Sequence, residues 1–430
     1  TAEQRAEAWE AGGYKVYTTL DLKAQKAADK AVNAAIPPKD PSRKATAIAM
    51  ITPGTGDVRA MAQNRVWGTN TGKKDKYWQT TYNYAADLAD GGTRGMQAGS
   101  TFKIFTTVAA LEKGISPFTV IPSPPSKVFT GMRGCNGNLL IDGGIKPYTV
   151  GNSTSSGNYD MFRGAAYSVN TFFVELEKRA GVCETVNAAQ KLGVRYATGG
   201  DLDDIQPSGA YANVASFTLG STEISPLTLA NAYATVSAHG VYCKPRSITK
   251  LVDRDGKSLP VPGSKCKQAI TRNVADGAAA VLTNVVDGTI PGRTGGAMSL
   301  GRDTTGKTGT TNEQAAVWFT GSTPDLAAAV WVGDPRGGSR HPLRNLTING
   351  RYYPKVFGSS LPGPTWKAAM LGALKGSEPV PMELKNQWGL RPARQAGSPS
   401  LGSPYVAPAQ PQTPLPWWQR VPGAGTTSGQ

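Results

Sequence analysis

Two pairs of apolar strands lie near opposite ends of the folded part of this chain, and they constrain what it can become. The first, ATAIAMITPGTGDVRAMA at 45–62, reads as a β-hairpin turning at Pro53 to Gly56. The second, AAVWFTGSTPDLAAAVWVG at 315–333, reads as a hairpin turning in GSTPD. Helical patterns dominate between about 115 and 290, notably at 168–180 and 225–238, broken by Gly- and Pro-rich loops. Strands at both ends with helices between predict an α/β (α+β) fold, a mixed sheet carrying a mostly helical inserted subdomain. Ahead of the first hairpin, YKVYTTL reads as a strand, a helix follows with Asp21 as its N-cap, and IPPKDPSRK at 36–44 reads as a linker. A further helix is expected over 100–113, and a last one from about Thr365 to Leu374. From Pro379 onward, 10 of the last 52 residues are proline and aliphatics are few, which predicts a loosely attached tail.

The net charge of +16 suits an anionic partner such as nucleic acid, lipid head groups or an acidic cell-wall polymer. No zinc-finger spacing, Gly-rich phosphate loop or basic helix with interleaved aromatics occurs, so nucleic acid is not an expected partner. No run of about 18 apolar residues appears, and no charged start leads into a short apolar stretch. These residues are therefore expected neither to span a membrane nor to carry an export signal, and the opening TAEQRAEAWEAGGYK reads as the middle of a longer polypeptide.

The four cysteines, Cys135, Cys183, Cys243 and Cys266, form no CxxC pair and have no nearby histidines, which argues against zinc. Between Cys243 and Cys266, RSITKLVD and RDGKSLP read as a hairpin about an Asp255-Gly256 turn. That register sets the two cysteines nearly opposite each other. A disulfide there contributes about 3 kcal/mol on chain-entropy grounds and implies an oxidising compartment. Two unpaired buried thiols are the other reading, and Cys135 and Cys183 offer no comparable argument.

The only histidines, His239 and His341, sit in polar or Gly-rich contexts and read as surface loop residues, so a serine nucleophile must use another base. Lysine three residues along a helix lies on the same face as the serine. Three SxxK matches occur: Ser100/Lys103, Ser247/Lys250 and Ser264/Lys267. Ser247 reads as lying in a strand, where i and i+3 face opposite sides, and Ser264 in a Pro/Gly loop. Ser100 follows Gly95 and Gly99 and opens TFKIFTTVAAL, where Lys103 is the only charge before Glu112. A helix apolar on nearly every side is buried, and burial disfavours the ammonium form of Lys103. The alternative is a serine N-cap beside a snorkelling lysine.

Two further signals stand at a distance. Ser-x-Asn occurs at Ser156/Asn158 in a Ser/Gly loop and at Ser168/Asn170 at a helix start, where either residue of the second pair could serve as an N-cap. Lys307-Thr308-Gly309 occurs once, directly before the second hairpin. As an edge strand it could pair with an extended peptide, with Gly309 permitting close approach and Lys307, Thr308 and Thr310 binding a carboxylate. The alternative is a strand junction with an exposed lysine.

SxxK, SxN and KTG in this order resemble the constellation of penicillin-binding proteins and class A β-lactamases. GGYKVYTTLDLKAQKAADKAV, AGSTFKIFTTVAALEKG, YSVNTFFVELE, LGSTEISPLTLANAYATVSAHG and GKTGTTN, with the second hairpin, resemble class A, bifunctional penicillin-binding proteins of actinobacterial type from about residue 12 to 376. Ala98, Phe105 and Ala316 depart from that pattern, where proline, proline and aspartate are frequent. The resemblance implies a central, mostly antiparallel sheet flanked by helices, with a helical subdomain at about 115–290. It implies an interdomain linker over 1–44, a transpeptidase domain over 45–378 and a flexible Pro-rich tail over 379–430.

By the same resemblance Ser100 attacks the penultimate D-Ala carbonyl of a donor stem peptide while Lys103 takes its proton. The N–H groups of Ser100 and Thr310 form the oxyanion hole, Ser168 and Lys307 carry a proton to the departing D-Ala, and Asn170 positions Lys103 and the substrate amide. Thr308, Gly309 and Thr310 bind substrate. No metal or cofactor is implied. The implied partners are peptidoglycan stem peptides, β-lactam antibiotics and other cell-wall synthesis or hydrolysis proteins. The implied location is the extracytoplasmic face of the bacterial membrane, in a longer, membrane-anchored protein whose glycosyltransferase motifs are missing from these residues. Rival readings are a D,D-carboxypeptidase, a non-enzymatic β-lactam sensor or wall-binding scaffold, and a β-lactamase. For the last, the Glu184/Asn187 pair follows Asn170 too soon to form the separate loop that a deacylating glutamate needs.

Overall fold

The two apolar hairpins pair with each other. In the computed structural model, which describes residues 1–69, 75–203 and 213–396, five strands form one sheet. They are β1 (Ala45–Ile51), β2 (Val58–Gln63), β3 (Thr305–Thr310), β4 (Ala316–Ser322) and β5 (Ala327–Gly333), in the order β3-β4-β5-β1-β2. Every neighbouring pair is antiparallel. The join between hairpins runs from Ala327 opposite Ile51 to Gly333 opposite Ala45. This α+β fold, an antiparallel sheet with helices on both faces, is the one the resemblance implies; the mixed sheet read from the strand pattern alone is not what these five strands form.

Helices cover both faces, which explains why β1, β4 and β5 are buried at every position rather than at alternate ones. On one face, helices α1 (Leu22–Ala35) and α6 (Pro362–Ala373) pack against Ile48, Met50, Phe319 and Val330. Trp366 is fully buried there, and its indole N–H donates to Ala328 O at 3.0 Å. On the other face lie α2 (Lys103–Glu112), α3 (Asn170–Ala180), α4 (Pro226–Ser237) and α5 (Arg272–Val286), against Ala47, Ala49, Ala327 and Ala329. Small side chains on that side let α4 lie close to the sheet, and α2 is buried along almost its whole length behind it. Residues 22–35, read from the sequence beside the linker, are thus part of the layer that closes the sheet.

Residues 379–394 also differ from a loose tail. They run along α5, where Lys385 N–H donates to Asp276 at 2.6 Å and Gln387 N–H to Asn273 at 2.6 Å. Met382 is buried in the core, and Trp388 lies against Gly277. The prolines do not prevent docking, because side chains of α5 take up backbone donors that a helix or strand would otherwise satisfy. The rest of the expected tail, 397–430, lies outside the described residues.

Two disulfides join Cys135 to Cys183 and Cys243 to Cys266. Register explains the second, though not by the hairpin read from the sequence. Strands 248–252 and 258–259 pair Leu251 with Leu259 across the five residues 253–257, in which Gly256 takes φ +82°. The cysteines instead continue the separate ladder of Val241 opposite Gln268 and Tyr242 opposite Lys267, which puts 243 directly opposite 266. Non-reducing peptide mapping should recover both pairs. Replacing Cys243 and Cys266 by serine should cost about 3 kcal/mol of unfolding free energy. Quantitative alkylation of those two without reductant would contradict the pairing.

Candidate active site

The nucleophile candidate sits on a turn clamped between two backbones. Residues Gly99–Phe102 form a single 3-10 turn that runs into α2 at Lys103. Gly99 has φ +61°, and a Cβ there would meet Thr310 N at 2.9 Å. Its N–H donates to Gly220 O at 3.2 Å, and a Cβ on Gly220 would strike Gly99 O at 2.1 Å. Only glycine fits at either position, so β3 and the 217–220 turn together fix where Ser100 is presented. Thr101 Oγ1 donates to Ala98 O at 2.9 Å, and Tyr233 donates to Thr101 O at 2.9 Å. Gly99, Thr101 and Phe102 are buried, and Ser100 alone in the turn is partly open to solvent.

Lys103 is 1% exposed, so the snorkelling alternative does not hold. Its Nζ lies 2.7 Å from Ser168 O, 2.8 Å from Asn170 Oδ1 and 3.2 Å from Ser168 Oγ. The Phe173 ring lies 5.4 Å from the same atom. Burial, then the neighbouring Lys307 charge, push its pKa well below the ordinary lysine value.

Ser168 and Asn170 do not cap α3. Val169 is the N-cap residue and makes no side-chain cap bond, while Ser168 holds a left-handed backbone at φ +57°. That conformation costs about 1–2 kcal/mol for a non-glycine residue. It is held by Ser168 N–H to Ala165 O at 3.1 Å and Val169 N–H to Gly164 O at 3.0 Å. Both polar side chains are then free to meet lysine, and Asn170 Nδ2 is anchored on Gly151 O at 3.0 Å.

Lys307 completes the cluster from β3, the edge strand of the sheet. It too is 1% exposed, rather than the solvated lysine of the alternative reading. Its Nζ donates to Ser168 Oγ at 2.7 Å and Thr308 O at 3.1 Å, and burial lowers its pKa to about 7. Thr308 Oγ1 donates to Thr294 Oγ1 at 3.1 Å, and Thr310 Oγ1 accepts from Gly358 N–H at 3.3 Å. Two lysines thus share one serine hydroxyl, and all their hydrogen-bond partners named here are neutral. Low dielectric and mutual repulsion favour one positive charge over two.

The remaining sequence candidates lie elsewhere. Lys250 stacks over Tyr17 at 5.5 Å, and Ser264 and Lys267 flank the Cys266 disulfide. His239 Nδ1 lies 2.6 Å from Asp276, and the backbone carbonyl of His341 accepts from Lys44. The Glu184 carboxylate lies over Gly181 at the start of its own helix, Val182–Lys191.

Sequence reasoning missed Glu177, two turns beyond Asn170 and fully buried. One oxygen accepts the Thr218 N–H at 2.9 Å, so this side chain supports the 217–220 turn that braces Gly99. Burial pushes its pKa well above the usual carboxylate range. The signal was available, since Glu177 falls on the apolar stripe Phe172, Phe173, Leu176 and Ala180. Thr294 and Gly220 carried no comparable signal.

Residues 46–341 match the family described as the penicillin binding protein transpeptidase domain. Penicillin-binding protein 1A of Mycobacterium tuberculosis is 31% identical over 86% of this chain and 42% of its own length. Penicillin-binding protein 1A of Mycolicibacterium smegmatis is 30% identical over 93% of this chain and 47% of its own length. The chain therefore spans less than half the length of these curated relatives. Among solved structures, PonA1 of Mycobacterium tuberculosis superposes with a TM-score of 0.68 at 28% identity, covering 88% of this chain and 89% of that one. The PonA1 complex with penicillin V matches at 0.68 and 27% identity over 90% of this chain and 93% of that one. With well over half its length in that match, and with the same fold as these structures, the chain belongs to the penicillin-binding protein transpeptidase family.

Proposed function

We propose that this chain is a D,D-transpeptidase that cross-links peptidoglycan stem peptides through an acyl-Ser100 intermediate, and that β-lactams acylate the same residue. The observation that carries the reading is the pair of buried lysines sharing Ser168 Oγ. A neutral Lys103 amine has two N–H donors, which Ser168 O and Asn170 Oδ1 take up. Its lone pair is left to accept a proton. Ser100 Oγ bonds to the penultimate D-Ala carbonyl carbon while its proton moves to Lys103. The backbone N–H groups of Ser100 and Thr310 hold the oxyanion. The peptide C–N bond then breaks, and the departing D-Ala nitrogen takes a proton from Ser168, which Lys307 restores. In the second half, a free amine attacks the ester carbonyl and gives a proton through Ser168 to Lys307, the C–Oγ bond breaks, and Lys103 returns its proton to Ser100 Oγ, so both lysines regain their starting state.

Thr308, Gly309 and Thr310 line β3 where a donor peptide would lie; a Cβ on Gly309 would strike Ala98 O at 2.5 Å, so this glycine lets the segment leading into Ser100 pack on the strand. We take residues 45–378 as the catalytic unit, closed on one side by α1 and on another by the docked residues 379–394, and joined through 1–44 to further domains of a membrane-anchored class A protein. The two disulfides favour an extracytoplasmic location.

Adduct lifetime tests the reading against a β-lactamase. The exposed Glu184 carboxylate lies over Gly181 and Glu177 is turned to Thr218, so neither is placed to activate water at Ser100. Losing roughly 5 kcal/mol of general-base assistance lengthens an acyl-enzyme lifetime several-thousandfold, at 1.36 kcal/mol per tenfold. Intact-protein mass should show one penicillin per chain persisting for hours. With an acyl-D-Ala-D-Ala donor and an amine, D-Ala should be released and a new amide formed. Penicillin turnover within seconds would establish a β-lactamase, and D-Ala release without amide formation would favour a carboxypeptidase.

A further inference from the structure

A buried carboxyl that the proton relay does not use stands behind the site. Glu177 lies on α3 seven residues after Asn170, two turns or about 10 Å along the helix. One oxygen accepts the Thr218 N–H at 2.9 Å, and among the described residues the other has no hydrogen-bond partner. A leucine would fill this place in an apolar stripe without the cost of burying a half-satisfied polar group. The Thr218 amide explains the carboxyl. The N–H groups of Phe217, Leu219 and Gly220 donate to backbone carbonyls at 3.0, 2.9 and 2.8 Å, whereas that of Thr218 donates to Glu177. Burial pushes the Glu177 pKa well above the usual carboxylate range, which favours the neutral acid.

The 217–220 turn touches the segments that carry Ser100, Lys103 and Asn170. Thr106 Oγ1, on α2 three residues beyond Lys103, donates to Thr218 Oγ1 at 2.6 Å. The Phe217 ring stands edge-on to Phe102, with centroids 5.2 Å apart. Gly220 O accepts the Gly99 N–H at 3.2 Å, one residue before Ser100. Lys103 in turn reaches Asn170 Oδ1 at 2.8 Å. These contacts close a ring. It runs from Ser100 to Lys103 into α2, across to Asn170, along α3 to Glu177, over to Thr218, and from Gly220 back to Gly99.

We propose that Glu177 is a positioning residue for acylation. With Thr106 and Thr218 it locks α3 to the turn that presents the nucleophile, and so fixes Ser100 relative to Lys103. This role rests on the transpeptidase reading, in which Lys103 takes the Ser100 proton. Glu177 bonds to neither lysine, so it acts through geometry. A general base works only within hydrogen-bond reach of the proton it takes, and a displacement of about 1 Å from a remote change costs about a hundredfold in rate.

Penicillin acylation of the full chain, expressed per folded molecule, tests this role. Glu177→Leu keeps the bulk but leaves the Thr218 N–H unpaired, and should slow acylation about 10- to 100-fold. Glu177→Gln keeps a neutral acceptor and should hold the rate within about twofold of wild type. Hydrogen exchange reads the tie without chemistry: in the leucine variant, peptides covering 95–102 and 213–222 should exchange faster, and 272–286 of α5 should not. Thr106→Val combined with Thr218→Val removes the hydroxyl pair from both sides and leaves no group unpaired. That double variant should keep wild-type stability and slow acylation several-fold, so it decides the matter even where the leucine variant does not fold. A folded leucine variant acylated at the wild-type rate would overturn the role. So would a glutamine variant as slow as the leucine one, or a wild-type rate in the double valine variant. A wild-type chain that penicillin does not label at Ser100 would overturn the transpeptidase reading instead. The exchange comparison would then decide the tie alone, and unchanged exchange at 95–102 would refute it.

Discussion

Replacing Ser100 by alanine should abolish penicillin labelling outright, leaving no adduct detectable by intact mass. Ser100 is the partly open residue of a turn whose other members are buried. Gly99 and Gly220 fix that turn against β3 and the 217–220 segment through contacts between backbones, which the substitution leaves alone. Fold stability should therefore change little, and loss of labelling would report chemistry rather than unfolding. Ser247 and Ser264, the other serines of SxxK matches, flank surface ribbons away from Lys307. An adduct that persists in the alanine variant, or that maps by peptide digestion to either of them, would overturn the assignment.

Lys103→Ala should slow penicillin acylation by about two to four orders of magnitude, the range for removing a positioned general base. The pH profile separates this role from a structural one. Burial and the Lys307 charge hold Lys103 well below its ordinary pKa, which favours the neutral amine that can accept a proton. Lys307 stands at about 7, so it keeps its proton below that pH and loses it above. A base that must be neutral and a donor that must be charged give a bell-shaped rate of acylation. Its alkaline limb should fall near pH 7, and Lys307→Gln should remove that limb as well as lowering the rate. A Lys103→Ala variant acylated at the wild-type rate, or an alkaline limb unchanged in Lys307→Gln, would refute the proton relay through Ser168.

Much of the architecture was legible because it is written locally. The helix starting after Asp21, the 45–62 and 315–333 hairpins and the helix closing near Leu374 follow from caps, turns and side-chain period within a few residues. Ser168 and Asn170 show where that reasoning stops. A serine and an asparagine at a helix start read as caps, and in the folded chain neither is one, because φ +57° at Ser168 turns both side chains to Lys103. The Cys243–Cys266 pair was found, yet through a neighbouring hairpin, since the ladder that sets it consists of only two residue pairs. Cys135 and Cys183, 48 residues apart, lie in segments whose approach no local pattern encodes.

The sequence by itself determined many of the elements, the apolar layers and the residue types available for chemistry, serine and lysine in place of histidine. Only the tertiary structure decided that Lys103 and Lys307, contributed by α2 and β3, meet at one hydroxyl carried by the segment before α3. That convergence spans 65 residues on one side and 139 on the other. Periodicity specifies which face of a helix or strand is apolar, but it carries no information about distances across the core. The lowered lysine pKa values follow from those distances and from burial, so they exist only once the helices have packed on the sheet.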